Sequence, residues 1–573
     1  MGGDDQHCEG AGADEAGIGE SFDLGCGLAA QVNIAQEYRS APACTTICAG
    51  RVHTTEQRPL SDASVDEVDR AGPRGLSLGR CARPAGIYRD SLGCPRRVLL
   101  RRMLRLLIPL GSAAALVSVC HSQEPAKVAA APPSGFEVSF LPGSRDDARY
   151  FMGGTEMRVL AAHAGKLYAG NSYWEDQHGP EGFQGAQILV LDRSGAHWRI
   201  DHGFDERMPD GRPRDLAVSA LADVTFATDG RGARLPTPVS LLIAANWDLT
   251  GTARIFSRDD ATGAWAAATL AQDRPMLGFL PQVRSLDGHR DRVTGIDRVF
   301  AGQDPRGIFS GAHDPAAASV GAPPRSSDLS GVSAAGLSGR NGNLRVSRFA
   351  ECNGQLYTAV GQHIYERIDG VEPHWRLVYT NSYPGHSETG LRGLAAIPDL
   401  SGHGEVLLAA VEGNAARIVR VNPRAGSEAT ELDVADFLGH RWGMRPSYVI
   451  AAYNDMAKVR DPAGSEALLI GLEAFIPLQA QIAAAHNVIS VGYGRLEAGG
   501  WYLVRHPNRA DDLRHIAQPP GRPLVATRSI RASPFPQETD AVYFAGYDAN
   551  KVSAHDTSWI MRSTIAGAIG VAQ

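Results

Sequence analysis

The sequence predicts an all-β chain from residue 136 to the C-terminus, and three observations carry that expectation. Short apolar runs bounded by Gly, Pro, Asn and Asp dominate, while amphipathic helix-period patterns are scarce. One pattern recurs seven times along the chain. The runs inside it are near-continuously apolar rather than alternating, so every sheet they form needs cover on both faces.

The recurrent segment joins two or three large apolar residues to a pair of small ones and then a polar loop. Its copies are KLYAGNSYWED (166–176), SLLIAANWDLT (240–250), RVFAGQDPRG (298–307), QLYTAVGQH (355–363), EVLLAAVEGN (405–414), EALLIGLEAF (466–475) and DAVYFAGYDAN (540–550). A second run ending in a polar turn follows each copy, from QILVLD (187–192) to SWIMRST (558–564). A further strand precedes each, from MRVLAAH (157–163) to TRSIRAS (527–533). In three units a short turn then leads to Trp198, Trp265 or Trp375, where an outer strand begins. Each unit therefore reads as four strands, a to d. The stretch SRDDATGAW (257–265) is expected to be a c–d hairpin with an aromatic plug.

A lone meander of this kind exposes apolar side chains on both faces; stacking such sheets around a ring buries both and leaves only short edges. In element order and apolar pattern, residues 136–573 resemble the β-propeller superfamily. That resemblance implies a seven-bladed propeller of four-stranded antiparallel blades. Only IAGAIGVAQ follows the last c strand, whereas FEVSFLPG (136–143) has no partner in its own neighbourhood. It is expected to supply strand d of the last blade and close the ring. Two units depart from the pattern. Residues 315–342 form a low-complexity stretch where the third unit needs an outer strand, and 474–500 is a long b–c connection with room for a short helix.

Ahead of the repeats, residues 1–102 read as a disordered leader or a mis-assigned upstream extension, 103–122 as a signal-peptide-like segment and 123–135 as a Pro/Ala linker. RRMLRLLIPLGSAAALVSVCHS (101–122) has the charged start, apolar run and small-residue exit of a secretory signal, which places the mature chain outside the cytoplasm or in the periplasm. Lipidation at Cys120 is one alternative, although Val119 is large for the position before a lipidated cysteine; a membrane anchor over 104–120 is the other. Six of eight cysteines lie in the first hundred residues, so disulfides cannot hold the repeats together.

The net charge of −7 argues against nucleic-acid binding. No zincin, P-loop, Ser-hydrolase or EF-hand motif appears, and neither a metal nor a cofactor is expected. His386 with Glu388 and His555 with Asp556 are read as solvated or turn-capping pairs. Propellers bring their d–a and b–c loops to one channel mouth, where ligands usually bind. That geometry gathers Trp174, Glu175, Asp176, Trp247, Asp248 and Asp548 from the loops, together with Asp304, Glu412, Glu473 and Tyr547. It also gathers Arg158, Arg284, Arg345, Arg392 and Arg528, which recur at the start of strand a in five units. Such a mouth suits a polar or anionic small molecule, a carbohydrate or a protein, bound by a monomer with no membrane span. The same residues leave open a hydrolase or lyase using loop carboxylates, and an interaction scaffold.

Overall fold

The structure, a computed structural model, describes residues 135–174, 177–179, 182–272, 282–304, 307–315, 319–320, 345–381, 390–461, 463–476, 495–496, 500–506, 512–516, 526–548 and 555–570. They form successive antiparallel sheets whose strands follow the repeat. The first unit runs Glu156–His163, Lys166–Ser172, Gln187–Leu191 and Arg199–Gly203; the second Asp215–Thr228, Arg234–Asp248, Thr252–Arg258 and Trp265–Gln272. The third has Gln282–Arg290, Asp297–Asp304 and Gly307–Gly311; of the low-complexity stretch 315–342, residues 315 and 319–320 are described, and Ser319–Val320 pairs with His313–Asp314. The fourth is Val346–Cys352, Gln355–Val360, His363–Ile368 and His374–Thr380; the fifth Leu391–Pro398, Glu405–Val411, Arg417–Asn422 and Ser427–Asp433. The sixth comprises Tyr448–Arg460, Glu466–Ile476, Trp501–Arg505 and Asp512–His515. In the last, Ala526–Ala532, Ala541–Tyr547 and Trp559–Thr564 are joined by Phe136–Phe140, which pairs Phe136 with Ser563 and Phe140 with Ile560. The stretch 257–265 is a c–d hairpin, with Arg258 opposite Trp265.

Each innermost strand packs against that of the next unit, and Ala526–Ala532 packs against Glu156–His163. This radial stack of antiparallel sheets is a β-propeller. The apolar runs are buried between sheets because each face meets a neighbour: Leu408 and Ile418 of the fifth unit pack on Val449, Leu468 and Leu503 of the sixth. Tyr168, Leu242, Tyr357, Leu407, Leu469 and Tyr543, the matching positions of the repeat, are all 0–4% exposed. The paired small residues have a steric reason. A Cβ on Gly170 would lie 2.5 Å from Val218 of the next inner strand, and one on Gly302 would strike Val346. One on Gly471 would strike the carbonyl of Thr527. Small side chains in strand b let the following unit approach.

Among the described residues, two helices depart from the strand pattern. Val434–Trp442 starts on Asp433, whose carboxylate accepts from the Asp436 amide at 2.8 Å, and ends at Gly443 with φ 68°. It buries Val434 and Leu438 against the fifth and sixth sheets. Ile565–Ile569 follows the last c strand and accepts a 2.8 Å bond from Tyr502 Oη at Ala568. Among the described residues, no helix is long and apolar enough to cross a membrane. The leader, the signal-like segment and most of the 474–500 connection lie outside the described residues.

A charged motif recurs at two seams. His163, at the end of the first inner strand, contacts Asp223 through Nδ1 (3.2 Å) and Asp260 through Nε2 (2.8 Å); Asp260 in turn accepts from Arg258. His289 of the third unit meets Glu351 and Asp369 of the fourth at 3.2 Å each, and Asp369 pairs with Arg367. An imidazole bonded to carboxylates through both nitrogens must donate from both, which is the imidazolium form. Burial opposes that charge, but the hydrogen bonds and charges of the two carboxylates outweigh it, and both pKa values stand above the usual 6.5. The stabilisation is then fully present below the unfolded pKa and is lost as pH rises through the folded one. The melting-temperature gap between wild type and His289→Gln is expected to be widest below about pH 6.5 and to shrink on the alkaline side. A gap that stays constant from about pH 5 to pH 9 refutes this role for the seam.

Candidate functional site at one channel mouth

The inner strands carry a repeated β-bulge. Pairing with strand b slips by one residue between Met157 and Val159, Val218 and Ala220, Val283 and Ser285, Val346 and Arg348, Leu391 and Gly393, and Thr527 and Ser529. The residues that the strand pairing skips are Arg158, Ser219, Arg284, Ser347, Arg392 and Arg528. A bulge adds a residue to one strand and re-aims its side chain. Here five of the six, all but Arg392, line one cavity in the channel. In the sixth unit the slip is wider, from Ala451 to Met456, and Ala452 takes a positive φ of 63°.

The five arginines expected at the mouth come together there. Arg158 feels the charges of Arg284 and Arg392; Arg528 feels Arg158 and Arg392; Arg345 feels Arg392. Arg345 differs in origin, because it precedes Val346 while Ser347 holds the bulge of its unit. Carboxylates sit among them. Glu156 lies 3.4 Å from Arg158 Nε and 2.9 Å from Arg528 Nε, and Asp304 pairs with Arg284. Glu412 lies 2.5 Å from Arg392 Nε and 3.7 Å from Arg345 Nη1. Arg158 also faces the Trp247 ring at 5.5 Å, and Arg528 faces Tyr547 at 5.9 Å. Burial, with the neighbouring guanidiniums, holds Arg158, Arg345 and Arg528 below the usual arginine range; Arg528 stands at about 9 and is still charged at neutral pH. Burial raises Glu473 to about 8, with Glu156 and Glu412 adding to the rise while the 3.1 Å bond from Tyr547 Oη opposes it.

The other expected residues fare differently. Asp248 is fully buried but belongs to a brace inside the second unit, 2.7 Å from Arg214 and 3.5 Å from Arg254. It does not answer the five arginines. Asp548 is buried where its amide donates to Thr557. Trp174 is half-buried, its amide 3.4 Å from Ser172 Oγ. Glu175, Asp176, His386 and Glu388 lie outside the described residues. The His555 carbonyl accepts from Gly154 and Asp556 bridges to Gly154, so this pair's backbone joins the last unit to the first. Sequence reasoning missed Glu156, although it stands two positions before Arg158, the spacing of one face of a strand. It also missed Ser219 and Ser347, whose place in the set depends on the bulge.

The chain is similar in structure to three solved propellers or enzymes, none above 13% identity. They are the Dos1 propeller (10% identity, covering 75% of this chain and 95% of that one, TM-score 0.35), the periplasmic gluconolactonase PpgL of Pseudomonas aeruginosa (13%, 63% and 88%, TM-score 0.32) and the NanB sialidase of Streptococcus pneumoniae (12%, 76% and 71%, TM-score 0.35). No protein-family model and no curated protein matches the chain.

Charge decides what this mouth can do. The five guanidiniums meet the carboxylates of Glu156, Asp304 and Glu412, and burial holds Asp304 and Glu473 above the usual carboxylate range. Each of those three is engaged by arginine, an arrangement that suits anion recognition or bracing. Among the described residues no group of three or more His, Cys, Asp or Glu could hold a metal ion.

Proposed function

We propose that this chain is a secreted or periplasmic seven-bladed propeller, closed by Phe136–Phe140, that binds a polar, anionic small molecule such as a sugar acid at one channel mouth without catalysing a reaction on it. The blade count is supported by the succession of inner strands, each against the next and the last against the first. Closure is supported by the pairing of Phe136–Phe140 with Trp559–Thr564. The single observation carrying the binding reading is the gathering of five largely buried guanidiniums at the mouth. Arginine's planar fork binds a carboxylate through two bonds while keeping its charge.

A panel of sugar acids and small dicarboxylates, titrated calorimetrically, tests this reading. Arg392→Ala is expected to weaken the best binder by more than about 1.5 kcal/mol, the scale of a hydrogen bond to a charged group. Arg392→Lys, which keeps the charge and loses the fork, should fall between. A panel with no binder, or a dissociation constant indifferent to Arg392, sinks the proposal. For export, sequencing the N-terminus of the native product should find a start beyond residue 102; a mature chain that retains residues 1–100 overturns that part.

A further inference from the structure

Beneath the mouth, the channel contains a cavity of about 40 Å³. Arg158, Arg284, Arg348, Arg528 and Arg531 line it, with Asp455 as the carboxylate on its wall. Asp455 is bound by Arg531 at 2.8 Å, while Glu156 and Asp304 answer Arg158, Arg528 and Arg284 from outside the lining. Burial keeps the nearby Asp287 above the usual carboxylate range. Five arginines thus line the cavity against a single lining carboxylate.

Ser347 supplies a second observation. It is 1% exposed, lines the same cavity from its bulge, and its hydroxyl has no hydrogen-bond partner among the described residues. A buried hydroxyl left unbonded costs free energy unless something in the cavity accepts from it. The space is small, and a planar carboxylate offers two oxygens that guanidinium forks and one hydroxyl can share.

We propose that this cavity is the seat of one carboxylate group of the bound molecule, held by Arg158, Arg284, Arg348 and Arg528 with Ser347 Oγ donating to it. The proposal rests on the anion-binding reading of the mouth and narrows it to organic acids whose terminal carboxylate enters the channel ahead of the rest. Ser347 at its bulge stands among the arginines of the other bulges, so a planar group meets a neutral donor beside charged ones.

The probe is sodium formate, titrated into the full chain in exchange for chloride at constant ionic strength and followed by calorimetry and melting temperature. Formate is expected to bind saturably and to raise the melting temperature; chloride should do neither. Ser347→Ala should lower formate affinity by about tenfold, the loss of one hydrogen bond to a charged group. Its own melting temperature should be unchanged or higher, because the substitution removes an unsatisfied hydroxyl. A structural role alone would leave formate binding untouched. Formate acting no differently from chloride, or phosphate binding more tightly than formate, overturns the carboxylate assignment. If larger acids bind through Arg392 while formate does not, the mouth reading stands and the cavity proposal falls. If formate binds through Ser347 while no larger acid depends on Arg392, the cavity stands and the mouth reading fails.

Discussion

Deletion of residues 123–143 is expected to destabilise the whole propeller, at a cost of about 5 kcal/mol or more. Phe140 is 3% exposed and packs edge-on against Trp198 of the first unit at 6.5 Å. Phe136 meets Phe544 at 5.3 Å and Tyr502 at 6.4 Å, and Glu137 reaches Arg562 at 3.1 Å. A single five-residue strand therefore touches the first, sixth and last units. Losing one buried phenylalanine alone costs about 3–5 kcal/mol. The deletion also uncovers the edge of Trp559–Thr564, whose unpaired amides and carbonyls then invite pairing with another chain. Melting temperature, urea midpoint and size-exclusion profile would register the loss together. An unchanged melting temperature would falsify the assignment of this strand to ring closure. Phe140→Ala, which leaves the backbone pairing intact, should retain the monomer yet lose about 3 kcal/mol or more.

The second large effect is expected from Glu156→Ala. The Glu156 side chain is 2% exposed and stands between Arg158 and Arg528, themselves only 7% and 6% exposed. Removing the shared carboxylate leaves two guanidiniums buried side by side, and breaking a buried pair of this kind costs about 3–5 kcal/mol. Asp192, whose side chain is 35% exposed between Lys166 and Arg199, supplies the contrast: Asp192→Asn should cost only about 1 kcal/mol. Glu156→Gln separates charge from shape, because it keeps the volume and one acceptor. It should recover little of the loss if charge dominates. Denaturant unfolding of the three variants checks the order, and a cost under about 1 kcal/mol for Glu156→Ala would show that solvent or a mobile anion screens the cluster. Added formate should narrow the gap between wild type and Glu156→Gln, because a bound anion can replace the missing counter-charge.

Much of the architecture was legible because its causes are local. An apolar run flanked by Gly, Asn or Asp makes a strand whatever surrounds it, and the small pair at Ala169–Gly170 or Ala301–Gly302 repeats wherever a neighbouring sheet must come close. The recurrence of arginine at the head of the inner strands also survived into the structure, since one repeat places one residue type at one end of the channel. The helix Val434–Trp442 escaped notice although Asp433 and Gly443 bracket it as start and stop signals. Its run is short, and the surrounding strand period masked it.

Register was not legible. In RVSRF (345–349) two arginines flank a serine, and nothing local says which of the three turns into the channel. The hydrogen bonds to Gln355–Val360 skip Ser347, so the serine is re-aimed inward, Arg345 falls outside the strand and Arg348 lines the same cavity as the serine. The same holds for Asp248, which looked like a mouth residue and instead meets Arg214 and Arg254. His163 and Asp260 are 97 positions apart, as distant in sequence as they are close in space. The amino-acid sequence by itself determined which segments become strands, their order and the end of the channel that collects arginine, because those follow from periodicity and steric size within a few residues. Which side chains share a cavity, and which carboxylate answers which guanidinium, only the tertiary structure decided, because a one-residue slip between paired strands reverses every side chain beyond it.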